Sequence, residues 1–181
     1  MTHKGWHSRG YLPHFDSADT IQFVTFRLFD SLPRAMAEML AKQPDTLAKT
    51  DESLDGGLGA CWLKDPTIAA LVENAMLHFD GDRYRLLAWC IMPNHVHVVV
   101  EPVDGNKLGA IVQAWKSFTA HRANSVLDRS GPFWHKDYFD RFIRDEGRLA
   151  RTIDYVENNP VKAGLASTAD SSPWSSRRRR A

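Results

Sequence analysis

Two short stretches of this chain set chemistry-bearing side chains at spacings that suit a shared site. In His95-Val96-His97, alternation along a strand puts both imidazoles on one face and Val96, Val98 and Val100 on the other. The valine face can bury against helices, which leaves the imidazoles presented together on the opposite side. Paired in this way they can chelate one divalent ion, with a third ligand from elsewhere. In a chain with eight histidines they can equally be ordinary strand histidines, and the spacing alone leaves both readings open.

The second stretch is a helix around Tyr155. At ~100° per residue, Leu149, Ile153 and Val156 form one core-facing stripe. Asn159 falls about 40° from Tyr155 in the same projection, with Arg148 and Arg151 on the preceding turns. A tyrosine so placed is either a partly exposed structural residue or a nucleophile. As a nucleophile, its phenol, with a pKa near ~10, needs activation. Proline disfavours helical geometry at the residue before it, so Pro160 predicts that the helix ends around Asn159-Pro160. The Asn159 amide can still reach an ion held by the histidine pair.

The elements that must position these groups follow from local pattern. Ile21–Leu28 is rich in β-branched and aromatic residues and predicts a strand. Leu32-Pro33 opens a helix to about Lys42, and Asp65-Pro66 caps another to about Phe79. Tyr84–Met92 and His95–Glu101 are strands joined by a Pro93-Asn94 turn. Leu108–Leu127 carries apolar residues at spacings of three and four, a helix. Phe133–Ile143 holds a fourth strand, and Gly147–Asn159 the last helix. Residues 44–60, with Pro44, Asp45, Asp51, Asp55 and three glycines, are expected to form a loop. The expected fold is an α+β sandwich, an antiparallel sheet covered by helices, with one domain over 1–166 and a flexible Ser/Arg-rich tail over 167–181.

Composition narrows the function classes. The chain has 181 residues, 43% hydrophobic and 25% charged, which excludes wholesale disorder. No apolar run approaches the ~18 residues of a membrane helix, and a polar N-terminus predicts a cytoplasmic protein. Cys61 and Cys90 form no CxxC pair, against a thiolate zinc site or a disulfide framework. A formal net charge of +1 argues against a strongly basic duplex binder, yet it hides a split. Residues 1–120 carry 11 Lys and Arg against 14 Asp and Glu, whereas 121–181 carry 12 against 8. The run Arg177–Arg180 is either a mobile phosphate-contacting arm or a solvated basic tail.

IMPNHVHVVVEP, followed far downstream by TIDYVENNPVKAGL, resembles the REP-associated tyrosine transposases, a branch of the single-tyrosine HUH endonucleases. RGYLPHFD (9–16), IQFVTFRLFDSLP (21–33), FWHKDYFDRFIRDE (133–146) and PWSS (173–176) extend the resemblance over most of the chain. It implies a ferredoxin-like α+β fold, metal ligands at His95, His97 and Asn159, and a nucleophile at Tyr155. It further implies Mg²⁺ or Mn²⁺ as cofactor and, as substrate, single-stranded DNA at the foot of palindromic hairpins. The intermediate would be a 5′-phosphotyrosine. Relatives act as monomers or as dimers with shared sites, so either state is compatible. Arg148 and Arg151, together with Arg9, Tyr11, His14, Trp134, Lys136 and Arg141, are candidate DNA contacts. The competing readings are a domesticated DNA-binding protein with reduced or no cleavage and a metal-dependent hydrolase of a small substrate.

Overall fold

The computed structural model describes residues 5–8, 13–16, 20–40 and 46–180. Strands β1 (Gly5–Ser8) and β2 (Pro13–Asp16) form a two-stranded antiparallel ribbon. Next come β3 (Gln22–Arg27), α1 (Arg34–Leu40), α2 (Thr46–Asp55), α3 (Pro66–Leu77), β4 (Tyr84–Ile91) and β5 (His95–Pro102). The chain continues with α4 (Leu108–Val126), β6 (Phe139–Phe142), α5 (Glu146–Lys162) and α6 (Ser176–Arg180). Strands β3 to β6 form one antiparallel sheet in the order β4-β5-β3-β6. With α3 and α4 as crossovers, this is the split β-α-β arrangement of ferredoxin-like folds. Among the described residues no helix is long and apolar enough to cross a membrane.

The two faces of the sheet bury different things. On one face Val24 and Phe26 of β3, Leu28 just beyond it, and Val96, Val98 and Val100 of β5 meet Ile68, Val72 and Met76 of α3 and Ile111, Val112 and Trp115 of α4. A register shift between Leu86 and Ala88 lets β4 keep Leu86, Trp89 and Ile91 on this same side, since an irregular residue resets the two-residue alternation. The polar ends of the core aromatics are satisfied there. Trp115 Nε1 donates to Tyr84 Oη at 2.8 Å, and that hydroxyl donates to the Met76 carbonyl at 2.6 Å. On the opposite face Phe23, Ala88, Cys90, Met92 and Val99 pack under Val156, Leu149, Ile153 and Tyr155 of α5.

Several expectations need correction. Thr46–Asp55 is a helix, not a loop. The breakers in that segment sit outside it, with Gly57 (φ 67°) just past its end and its N–H bonded to the Leu54 carbonyl, the usual left-handed stop. Leu54 buries against Leu32 and Leu40 and so supplies the packing that the composition hid. Helix α5 runs through Pro160 to Lys162. The proline forfeits one hydrogen bond, to Val156, and packing of Tyr155 and Val156 on the sheet outweighs the local penalty. The strand expected within Phe133–Ile143 shrinks to Phe139–Phe142, with a single bridge from Trp134 to Leu28.

The tail is not free of the body. Strand β4 lies at the sheet edge, and its outward N–H groups at Ile91 and Trp89 bond to the Trp174 carbonyl (2.9 Å) and Ser176 Oγ (3.1 Å). PWSS therefore covers an exposed edge. Behind it Arg180 reaches Glu157 and the Leu87 carbonyl, and Arg177 meets Asp170 at 3.1 Å.

Candidate active site

The histidine pair sits on β5 facing α5, and neither ring is accessible to solvent (both 0% exposed). The expectation that the imidazoles stand open is thus corrected, because the face opposite the valines is itself covered. His95 Nδ1 lies 2.8 Å from Asn94 Oδ1, while Asn94 Nδ2 donates to the Leu58 carbonyl at 2.9 Å. The second bond fixes the Asn94 amide, so Oδ1 accepts the Nδ1 proton and His95 Nε2 is left with a lone pair. His97 Nδ1 lies 2.8 Å from Thr25 Oγ1 across the β3–β5 ladder. The two Nε2 atoms then point at each other, 3.0 Å apart.

That separation suits two neighbouring ligands of one ion, since bonds of about 2.1 Å at right angles put donors roughly 3 Å apart. Burial holds His97 down to about 4 and His95 well below the ordinary imidazole range, so both are neutral and able to ligate. Among the described residues no group of three or more His, Cys, Asp or Glu is gathered to hold a metal, and Asp55 Oδ1, buried without a hydrogen-bond partner, stands 3.8 Å from His95 Nε2. Asn159 is the further donor that α5 brings to this side of the sheet. It is fully buried, and neither its Oδ1 nor its Nδ2 has a hydrogen-bond partner. A buried amide with both ends unsatisfied is rare and costly unless something else binds it.

Tyr155 stands one turn before Asn159 on α5. Its ring meets His97 edge-on at 5.9 Å and Phe23 at 6.1 Å, and Phe23 stacks on His97 at 5.5 Å. Its hydroxyl donates to Asp51 Oδ2 at 2.8 Å. Burial, and then the Asp51 carboxylate, push the phenol above its ordinary range. Lys162 Nζ lies 5.8 Å from the ring centroid. Asp51 and Asp55, four apart on α2, share one face of that helix and both turn toward the site. Asp55 Oδ1 is 3.8 Å from His95 Nε2. Burial raises both carboxyls, Asp51 to about 7.

The remaining expected residues divide. Arg148 and Arg151 are exposed on the first turns of α5, and Arg141 is exposed on β6 opposite Phe23. Cross-strand partners share a face, so Arg141 lies on the side of the sheet that carries the site. Lys136 is exposed. Trp134 is corrected. It is buried in the other core, its indole N–H donated to Thr119 Oγ1 at 2.9 Å, and offers no free face for a base. Arg9 and Tyr11 lie outside the described residues, while His14 is on β2 opposite His7. Sequence reasoning missed Asp51, Asp55, Thr25 and Asn94. The carboxylate spacing of α2 is a helical signal that only its assignment as a helix would have exposed.

A family model described as "Transposase IS200 like" matches residues 67–159, which include His95, His97, Tyr155 and Asn159. A Haemophilus influenzae protein named for the REP-associated tyrosine transposases is 27% identical over 103 residues, covering 51% of this chain and 58% of that protein. An uncharacterised protein of the same organism is 25% identical over 114 residues, covering 49% of this chain and 60% of its own length. The match therefore spans less than two thirds of either curated relative. In fold, the chain is similar to a solved REP-associated tyrosine transposase bound to a REP hairpin. The TM-score is 0.63 and the identity 18%, over 96% of this chain and 82% of that one.

Proposed function

The chain belongs to the IS200-like transposase family, and from that premise we propose that it cuts and rejoins single-stranded DNA at the foot of palindromic hairpins, with Tyr155 as nucleophile. The observation that carries this reading is the convergence of Tyr155, the facing His95 and His97 Nε2 atoms and the unsatisfied Asn159 amide on one side of the sheet. The Tyr155 oxygen attacks a backbone phosphorus, forms a 5′-phosphotyrosine and releases a 3′-OH. Because the new ester conserves the energy of the bond broken, an incoming 3′-OH can reverse the step and join a strand. His95, His97 and Asn159 would hold Mg²⁺ or Mn²⁺, which supplies polarisation of a non-bridging phosphate oxygen. Arg141, Arg148 and Arg151 bind phosphates flanking the site, where exposed guanidinium groups gain from counterion release.

Tyr155 lies against the histidine of its own chain, which supports a site complete within one subunit. Structural likeness to a hairpin-bound transposase supports a hairpin substrate for this chain as well. The test is a covalent-adduct assay on hairpin DNA with a single-stranded foot, taken from palindromes adjoining the gene. Wild type should form a protein–DNA adduct that Tyr155→Phe abolishes while hairpin binding persists. Released product without an adduct would instead point to hydrolysis by activated water.

A further inference from the structure

We propose that Asp51 is the proton acceptor for Tyr155, taking the phenol proton on Oδ2 as the phenol oxygen attacks phosphorus. The proposal rests on Tyr155 being the nucleophile and adds to it a residue outside the family match, which begins at residue 67.

The contact is specific. Tyr155 and Asp51 are 104 positions apart in sequence and meet hydroxyl to carboxylate at 2.8 Å. Asp51 is 2% exposed, and its other oxygen, Oδ1, is buried without a hydrogen-bond partner. A carboxylate satisfied only on its tyrosine side is a poor structural anchor, because the unmet oxygen costs desolvation with nothing in return. The other groups around the phenol are less suited to the proton. Lys162 of α5 is a cation. The His97 ring of β5 has Nδ1 engaged by Thr25 and Nε2 turned to His95. Cys90 of β4 is fully buried with its thiol pushed up, and Asp55 lies one turn along α2 beside His95.

Helix α2 is held for the task. Asn94, which orients His95, also bonds the Leu58 carbonyl just beyond α2. Gly59 (φ 84°) passes so close to Asp30 that a Cβ there would lie 2.7 Å from its carbonyl oxygen, and Asp30 Oδ2 accepts the Ala60 N–H at 2.8 Å. Burial, opposed by the Tyr155 hydrogen bond and by Lys162, raises Asp51 to about 7, which suits a base working near neutrality.

The step balances. The Tyr155 O–H bond breaks and its proton joins Asp51; the phenol oxygen forms the bond to phosphorus. The P–O3′ bond breaks, and the departing 3′ oxygen takes a proton from water. On rejoining, the incoming 3′-OH gives its proton to water as its oxygen bonds phosphorus, the P–O bond to Tyr155 breaks, and Asp51 returns its proton to the departing phenol oxygen.

The experiment uses the full chain with Mn²⁺ and the gene-adjoining hairpin in single-turnover adduct formation. Asp51→Asn keeps an oxygen that accepts the hydroxyl but cannot take its proton. The adduct rate should fall by about 10²–10⁴, with the rise in rate through neutral pH flattened and hairpin affinity no weaker. Asp51→Glu should recover part of the rate. A wild-type rate in Asp51→Asn overturns the proposal and leaves Tyr155 as nucleophile, whereas adduct formation by Tyr155→Phe overturns the reading beneath it. A second measurement needs no DNA. The ultraviolet resonance Raman ring doublet of Tyr155, with Tyr155→Phe as blank, should lose its strong-donor signature in Asp51→Ala, and an unchanged doublet refutes the contact.

Discussion

The imidazoles of His95 and His97 bring their Nε2 atoms to 3.0 Å, each ring turned by a different residue at its far nitrogen. Asn94 does this for His95 from the preceding position, and Thr25 does it for His97 from the neighbouring strand. The arrangement resembles the outer shell of a metal site, in which partners at Nδ1 fix the tautomer and aim Nε2 at the ion.

Thr25→Val keeps the volume and removes that partner. Mn²⁺ affinity, read by calorimetry or by the free-Mn²⁺ resonance signal, should drop about 10–100-fold. Undiminished affinity would mean that the histidines do not hold the ion.

Trp134→Ala separates a core role from a base-stacking one. The ring packs edge-on against Phe26 at 4.9 Å and against Phe133 at 4.9 Å. Truncation should cost about 3–5 kcal/mol in chemical denaturation. Hairpin affinity of the folded fraction should stay near wild type; a selective loss of affinity in a stably folded protein would restore the stacking role.

Ser176 links the tail, the sheet edge and α5. Its Oγ donates to Glu157 Oε1 at 2.7 Å and accepts the Trp89 N–H. Ser176→Ala leaves the Trp89 N–H unmet and takes one of two partners from Glu157 Oε1, which Arg180 still meets, at about 1–3 kcal/mol. A thermal melt should move down accordingly, and an unchanged melt would show that the tail does not brace α5.

Asp51 makes stability depend on pH. Its carboxyl titrates near 3.8 when unfolded and at about 7 when folded. Between these values the folded state binds more protons, so stability falls as pH rises, and the loss is complete above about 7. In metal-free melts from pH 5 to 8, wild type should lose stability relative to Asp51→Asn, by on the order of a few kcal/mol. Parallel profiles would show that the carboxyl is not desolvated.

What the sequence determined by itself was local and periodic. Alternation put His95 and His97 together against the valine face, and the helical repeat put Tyr155 and Asn159 on one side of α5, because both patterns depend only on near neighbours. The four strands of the main sheet and the helices α1, α3, α4 and α5 followed from the same logic, as did the family likeness, whereas the β1–β2 ribbon did not. Tertiary structure alone decided what closes over those residues. Asp51 reaches Tyr155 across 104 positions, on a helix whose flanking glycines masked it and which Leu54 stabilises by packing. Burial of the histidines, the unsatisfied Asn159 amide, the continuation of α5 past Pro160 and the capture of PWSS by the edge of β4 are likewise non-local. Each depends on what another segment places against it, and desolvation, which sets the charge state of every group in the site, exists only once the chain has folded.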